Sequence, residues 1–161
     1  MLGQDSNMEN VLNEIISDLI DSGLASGQSF VGCKNEEINE LETHFNVKFP
    51  KIYRLFLKKM GKAAGNFMLG TDMFYKHLFG IRDGAIELLQ EANSHYTLSH
   101  TMFVFSMHQG YEFCCFDTLG GEDPEVFQYI EDEDRPEKQW NTFSEYLKDM
   151  IHQHRLALGQ S

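Results

Sequence analysis

The sequence predicts an α+β domain in which N-terminal helices and a C-terminal helix pack on a bent, mainly antiparallel sheet. Apolar residues recur with helical spacing in the first third of the chain and again near its carboxyl end. Between residues 101 and 130, apolar and polar residues alternate in short stretches that glycine-containing turns separate. A doubly wound sheet is disfavoured because strands and helices do not alternate along the chain.

Three helices are predicted in the first third of the chain. The first covers Asn7–Ile20, where the apolar residues form one stripe on a helix. The second begins at Asn35, a good N-cap, and ends at Asn46, which tolerates the left-handed conformation. The third begins at Pro50, whose fixed φ suits a first helical turn, and ends at Gly61. The residues expected to pack together between the second and third helices are Ile38, Leu41, Phe45, Tyr53, Phe56 and Leu57.

The predicted sheet occupies the middle of the chain. Short strands broken by glycine are predicted at Phe67–Gly70 and Lys76–Ile81, and a helix over Asp83–Ala92 follows them. Three antiparallel strands follow from the alternating pattern, and they cover Thr101–Met107, Tyr111–Asp117 and Glu125–Ile130. An amphipathic helix over Asn141–His154 then closes the domain.

The net charge of the chain limits the kinds of molecule that it can bind. Lysine and arginine number 13 and aspartate and glutamate 25, so the formal net charge is −12. This charge balance argues against a nucleic-acid binder, because the basic residues of such a protein must meet phosphates. Binding to an anionic membrane surface is disfavoured for the same reason. The partner that fits this charge is a basic protein.

The acidic residues are concentrated in one segment. Between Glu122 and Glu137 there are eight acidic residues and one basic residue, so this segment carries −7 of the net charge. One interpretation is a solvated loop around a strand, and the other is an acidic docking face with a nearby tryptophan as its anchor. That tryptophan has its own alternative role, which is to cover the core beside the last helix. The candidate partner-binding residues are Glu122, Asp123, Glu125, Glu131, Asp132, Asp134 and Trp140.

The histidines and glycines give no motif for catalysis or metal binding. His152 and His154 are two residues apart on a predicted helix, so they point in different directions and cannot share an ion. His95 and His100 flank a loop and could converge, but no Cys-x-x-Cys or His-Glu-x-x-His spacing accompanies them. The loop from 61 to 65 lacks the glycine–lysine spacing of a phosphate-binding loop. We therefore expect no catalytic residue, no metal site and no cofactor.

The three cysteines indicate a reducing compartment. Their number is odd, and Cys114 and Cys115 are adjacent in a predicted strand, so they form no disulfide framework. Neighbouring strand residues face opposite sides, so one thiol should lie in the core and the other outside it or under an adjacent helix. No signal peptide and no membrane span are recognised in the sequence. A cytoplasmic location is the expectation.

The segment from 35 to 61 resembles the opening of the SUKH superfamily, and in particular its SMI/KNR-type branch. The matching residues are Glu37-Ile38, Leu41-Glu42, Phe49-Pro50, Tyr53-Arg54, Phe56-Leu57 and Gly61. Two departures are Phe49 in place of the commoner leucine and Met60-Gly61-Lys62 in place of Asn-Gly-Gly. Later strands and the closing helix agree in order. On this resemblance, 1–161 is a single SUKH-like domain, with 1–34 as an N-terminal helical extension and 35–151 as the core.

The resemblance implies a binding role without a catalytic residue. Many bacterial members of the superfamily are immunity proteins that neutralise polymorphic toxins, often nucleases or deaminases, by direct contact. The acidic charge then has a purpose, because toxin domains that act on nucleic acid tend to be basic. Two alternatives remain: a regulatory or scaffold interaction protein of the same fold, and, less favoured, a small enzyme with a cysteine–histidine site.

Overall fold

The architecture is an α+β fold, as predicted, and its larger sheet has five antiparallel strands. A computed structural model describes the backbone of residues 2–157 and the side chains of residues 7–157. The helices are α1 (Leu2–Asp21), α2 (Asn35–Phe45), α3 (Lys51–Met60), α4 (Tyr75–Leu78), α5 (Ile81–Glu91) and α6 (Phe143–Ala157). The strands are β1 (Phe30–Val31), β2 (Ala63–Ala64), β3 (Thr71–Asp72), β4 (Met102–His108), β5 (Glu112–Asp117), β6 (Val126–Ile130) and β7 (Glu137–Trp140).

The strands of the large sheet follow the order β3-β4-β5-β6-β7, and every neighbouring pair is antiparallel. Strands β1 and β2 form a separate antiparallel pair. The register shifts between Val104 and Ser106 and again between Val126 and Phe127. Such irregularities increase the local twist of a sheet and bend the strand that contains them.

Helices α2 and α3 are joined at the predicted elbow, with small corrections to their caps. Lys34 rather than Asn35 is the cap of α2, and the Lys34 N–H donates to the Glu37 carboxylate at 2.8 Å. Asn46 ends α2 in the left-handed conformation at φ 54°, as expected. Pro50 stands at the cap position just before α3 rather than inside its first turn.

A partly buried ion pair joins α2 to α3 across the elbow at Pro50. Glu42 is only 5% exposed, and its Oε1 lies 2.6 Å from Nη1 of Arg54. Its Oε2 accepts the N–H of Phe49 at 2.7 Å. The carboxylate therefore fixes α3 and the chain before Pro50 to α2 through charge-assisted hydrogen bonds.

The prediction of two short strands at Phe67–Gly70 and Lys76–Ile81 is wrong. Residues 67–70 form a turn, because Met68 and Gly70 have φ angles of 60° and 85°, which a strand does not accommodate. The second stretch contains most of α4 and the start of α5, and its Leu78 points into the core. Strand β7 is missing from the sequence prediction.

The core lies on both faces of the sheet. Tyr53 of α3, Phe105 and Phe116 of the sheet, and Phe143 of α6 form an aromatic cluster with ring centroids 5.1–6.5 Å apart. On the opposite face Phe113 stacks on Tyr129 at 5.3 Å, and α5 packs on β4. The residues predicted to pack between α2 and α3 are fully buried, apart from Phe45, which is partly buried.

Candidate functional site

The acidic segment is divided in two by strand β6. Residues 122–125 precede this strand and residues 131–137 follow it, so the two groups lie at opposite ends of five extended residues. At about 3.4 Å per residue, the separation is roughly 17 Å. Trp140 pairs with Val126 and therefore lies at the first end, away from Glu131, Asp132 and Asp134. The seven candidate residues do not form one continuous face.

The carboxylates before β6 take part in local structure. Asp123 accepts the Ser144 N–H at 3.0 Å and the Ser144 hydroxyl at 2.6 Å, so it caps the start of α6. Glu125 forms an exposed cross-strand ion pair with Lys138 at 3.1 Å. The Glu122 side chain is exposed, while its carbonyl accepts the N–H of Ile52 at 3.0 Å.

Trp140 covers the core beside the last helix, which is the second of its two predicted roles. Its ring is partly buried and meets the Tyr146 ring edge-on, with centroids 4.9 Å apart. Its indole N–H donates to Oδ2 of Asp149 at 2.9 Å. The indole N–H, which could otherwise donate a hydrogen bond to a protein partner, is therefore already paired within the protein.

The residues that follow β6 form an exposed turn with an ordered backbone. We call Glu131–Asp134 the acidic turn. The Glu131 N–H donates to the Tyr111 carbonyl at 2.8 Å, and the Tyr129 hydroxyl donates to the Glu133 carbonyl at 2.8 Å. Ser94, after α5, donates to the Asp134 carbonyl at 2.5 Å. Tyr111 and Ser94 were not identified from the sequence as hydrogen-bond partners of the acidic turn. Both residues lie far from the turn along the chain, so no local sequence pattern indicates these contacts.

The charges of the acidic turn are open to solvent. All four of its residues are exposed. Arg135 lies 3.7 Å from the Asp134 carboxylate, and these two side chains are 65% and 77% exposed. An ion pair this open is screened by water and contributes little to stability. The turn therefore presents four carboxylates on a backbone that hydrogen bonds from three elements hold in place.

The cysteines are unsuited to nucleophilic chemistry in this conformation. Cys114 and Cys115 face opposite sides of the sheet, and both are buried because helices cover both faces. Burial raises the pKa of Cys33 to about 11 and that of Cys115 to about 12, and it also raises the pKa of Cys114. The thiolate is the reactive form, so these thiols remain protonated and inert near neutral pH.

The described side chains include no group of three or more histidine, cysteine, aspartate or glutamate residues placed to hold a metal ion. His77 instead approaches Asp72 at 3.3 Å, and His108 shares a hydrogen bond with Thr71 at 2.8 Å. Among residues 2–157, no helix is long and apolar enough to cross a membrane.

Comparison with known families agrees with the fold. A SUKH family model, described as SMI1-KNR4 cell-wall, matches residues 35–147. The match begins at the first residue of α2, ends inside α6 and covers more than half of the chain. No curated protein matches the sequence. From the extent of the family match, together with helices α2 and α3 joined at Pro50 and the antiparallel sheet, the chain belongs to the SUKH superfamily.

Proposed function

We propose that this protein is a non-catalytic binding module that neutralises a basic toxin domain, of the nuclease or deaminase type, by direct contact. The observation that carries the proposal is the acidic turn, with four exposed carboxylates on an ordered backbone. Membership of the SUKH superfamily supports it, since many bacterial members are immunity proteins. A toxin that acts on nucleic acid needs a basic surface, and that surface is the complement of this turn.

Two physical properties favour the acidic turn as a contact surface. Its charges are exposed, so they act on an approaching partner before contact and raise the association rate. Its backbone is already ordered by the hydrogen bonds from Tyr129 and Ser94, so binding loses less conformational entropy than it would with a loose loop. The carboxylates before β6 contribute less, because Asp123 and Glu125 already have partners within the protein.

The proposal that the module has no catalytic residue is supported by the buried, protonated thiols. A cytoplasmic location is proposed with it, because three cysteines without a disulfide suit a reducing compartment. A regulatory interaction protein is the second candidate, and the cell-wall description of the family model favours it. The two candidates differ in whether the partner is toxic to the cell.

Affinity capture from the native host, followed by a growth assay with the captured protein, tests the proposal. The expected result is a basic protein whose expression arrests growth and whose effect this chain reverses. A variant with Glu131→Gln, Asp132→Asn and Asp134→Asn should reverse growth arrest less well at equal expression. Capture of a non-toxic regulator would instead favour the regulatory role. If no basic protein is captured and no toxin is neutralised, the proposal is wrong.

A further inference from the structure

A polar cavity lies between the sheet and the second half of α6. Its volume is about 240 Å³. The strands β4, β5 and β6 form its floor, and side chains of α6 form its roof. The polar residues that line it include Ser106, His108, Glu112, Cys114, Gln128 and His154.

The cavity exists because one face of the sheet changes from aromatic to polar along its length. Phe116 belongs to the aromatic cluster, whereas Cys114 and Glu112, on the same face of β5, line the cavity. On β4, the bulge between Val104 and Ser106 shifts the register, and Ser106 and His108 turn toward α6. The aromatic core therefore stops before the end of the sheet, and polar groups occupy the remaining space.

The cavity contains one carboxylate, and no ion pair with a described lysine, arginine or histidine neutralises it. The Glu112 carboxylate is partly buried and accepts a hydrogen bond from Nε2 of Gln128 at 2.9 Å, and no salt bridge joins Glu112 to a cation within residues 7–157. Burial, and secondarily His108, lowers the pKa of His154, which disfavours a positive charge on its imidazole. A partly desolvated carboxylate with a neutral partner attracts a cation strongly.

The cavity and the acidic turn lie side by side. Tyr111, whose carbonyl accepts the Glu131 N–H at 2.8 Å, is also part of the cavity wall. Glu112 pairs with Ile130, the residue immediately before the acidic turn. A partner that is drawn to the turn thus meets the cavity at the same end of the sheet.

We propose that this cavity receives an arginine side chain of the basic protein partner, with its guanidinium against the Glu112 carboxylate. This inference rests on the proposed function. The contact between the arginine and Glu112 would set the dissociation rate of the complex. Arginine fits better than lysine, because its planar fork supplies five donors to the carboxylate and amide oxygens. The Tyr111 ring and Met150 offer apolar surface for the methylene stem.

The cavity can be tested without the protein partner. The probe is N-acetyl-arginine N-methylamide, titrated into the full chain and followed by two-dimensional NMR of the backbone amides. We expect saturable shifts at residues 106–114, 128 and 153–154. The neutral citrulline analogue should bind at least tenfold more weakly. Equal shifts from both compounds, or none from the arginine compound, would overturn the inference.

Two variants assign the contact. Glu112→Gln should weaken binding of the arginine probe at least tenfold, and Gln128→Met provides a second, independent change if Glu112→Gln impairs folding. Glu87→Gln removes the same charge from an exposed position on α5, which packs on the opposite face of the sheet, and should leave probe binding unchanged. If Glu112→Gln and Glu87→Gln bind the probe equally well, Glu112 is not the guanidinium site.

With a captured toxin in hand, the same variants separate the two proposals. Glu112→Gln should speed dissociation of the complex at least tenfold and leave the association rate nearly unchanged, since desolvated contacts mainly set lifetime. If the parent complex forms and Glu112→Gln dissociates at the parent rate, the cavity is not an arginine site and the proposed function stands. If no toxin binds the parent, the proposed function is wrong, and the probe titration still decides the cavity.

Discussion

Replacing Tyr53 by phenylalanine should stabilise the protein, which is unusual for a change at the centre of a core. The Tyr53 side chain is fully buried among the rings of Phe56, Phe116 and Phe143. Its hydroxyl has no hydrogen-bond partner among the described residues. A buried polar group without a partner loses its bonds to water on folding and gains none in return.

The size of the effect follows from two opposing contributions. An unsatisfied buried hydroxyl destabilises the folded state by about 1–3 kcal/mol. The void left by one oxygen atom, roughly 12 Å³, costs about 0.3 kcal/mol at about 24 cal/mol per Å³ of cavity. The net expectation for Tyr53→Phe is a gain of about 1 kcal/mol. Divided by the typical dependence of the free energy of unfolding on urea concentration in a small protein, this gain should raise the urea concentration at the unfolding midpoint by about 0.5 M.

Tyr129→Phe is the matched control for this prediction. Tyr129 is also fully buried, but its hydroxyl donates to the Glu133 carbonyl at 2.8 Å. Its removal should lower the free energy of unfolding by about 1 kcal/mol. Urea unfolding followed by far-ultraviolet circular dichroism gives both values. A loss of stability in Tyr53→Phe as large as that in the control would refute the reasoning.

Three further predictions concern stability. Arg54→Met removes the charged partner of the nearly buried Glu42 and should lower the free energy of unfolding by about 2 kcal/mol, measured by urea unfolding. Asp123→Ala removes the cap of α6 and should lower the free energy of unfolding by about 1 kcal/mol in the same assay. If stability is unchanged and partner binding is weakened, Asp123 instead belongs to the binding surface. Burial raises the pKa values of Cys33 and Cys115 to about 11 and about 12, above the ordinary thiol pKa of 9.0, so the thiols of the unfolded chain ionise first as the pH rises. These thiols should therefore leave stability unaffected below about pH 9 and lower it between about pH 9 and 12, and Cys33→Ala should flatten the part of that decline between about pH 9 and 11.

The helical parts of the fold could be predicted because their signals are local. The apolar spacing from Ile38 to Leu57 and the left-handed Asn46 follow from residue types within a few positions of each other. The region around Met68 could not be predicted in this way. A positive φ at a methionine has no signature in composition, so the turn that contains it was interpreted as a strand.

Strand β7 escaped prediction for a different reason. Its residues Glu137–Trp140 are mostly exposed and do not alternate between apolar and polar. An edge strand pairs on one side only and is often charged, so its sequence resembles that of a loop. Glu137, the first residue of β7, is consequently counted with the acidic segment in the sequence analysis.

The candidate site was predictable in its chemistry and only partly in its geometry. The acidic residues were recognisable by composition, but their division into two groups depends on β6, which separates Glu125 from Glu131. That separation follows from the strand predicted over Glu125–Ile130 once its length is considered. The polar cavity beside Glu112 could not be predicted, because its walls come from elements far apart in the chain.

The claim that the acidic turn steers a basic partner is tested most directly by the association rate of the captured complex at two ionic strengths. The variant with Glu131→Gln, Asp132→Asn and Asp134→Asn is compared with one carrying Glu9→Gln, Glu14→Gln and Asp18→Asn, which removes equal charge from exposed positions on α1. At low salt, we predict roughly tenfold slower association for the turn variant and a flatter salt dependence. The α1 variant should stay close to the parent rate. If the turn variant associates as fast as the parent at low salt, the acidic turn is only a solvated loop.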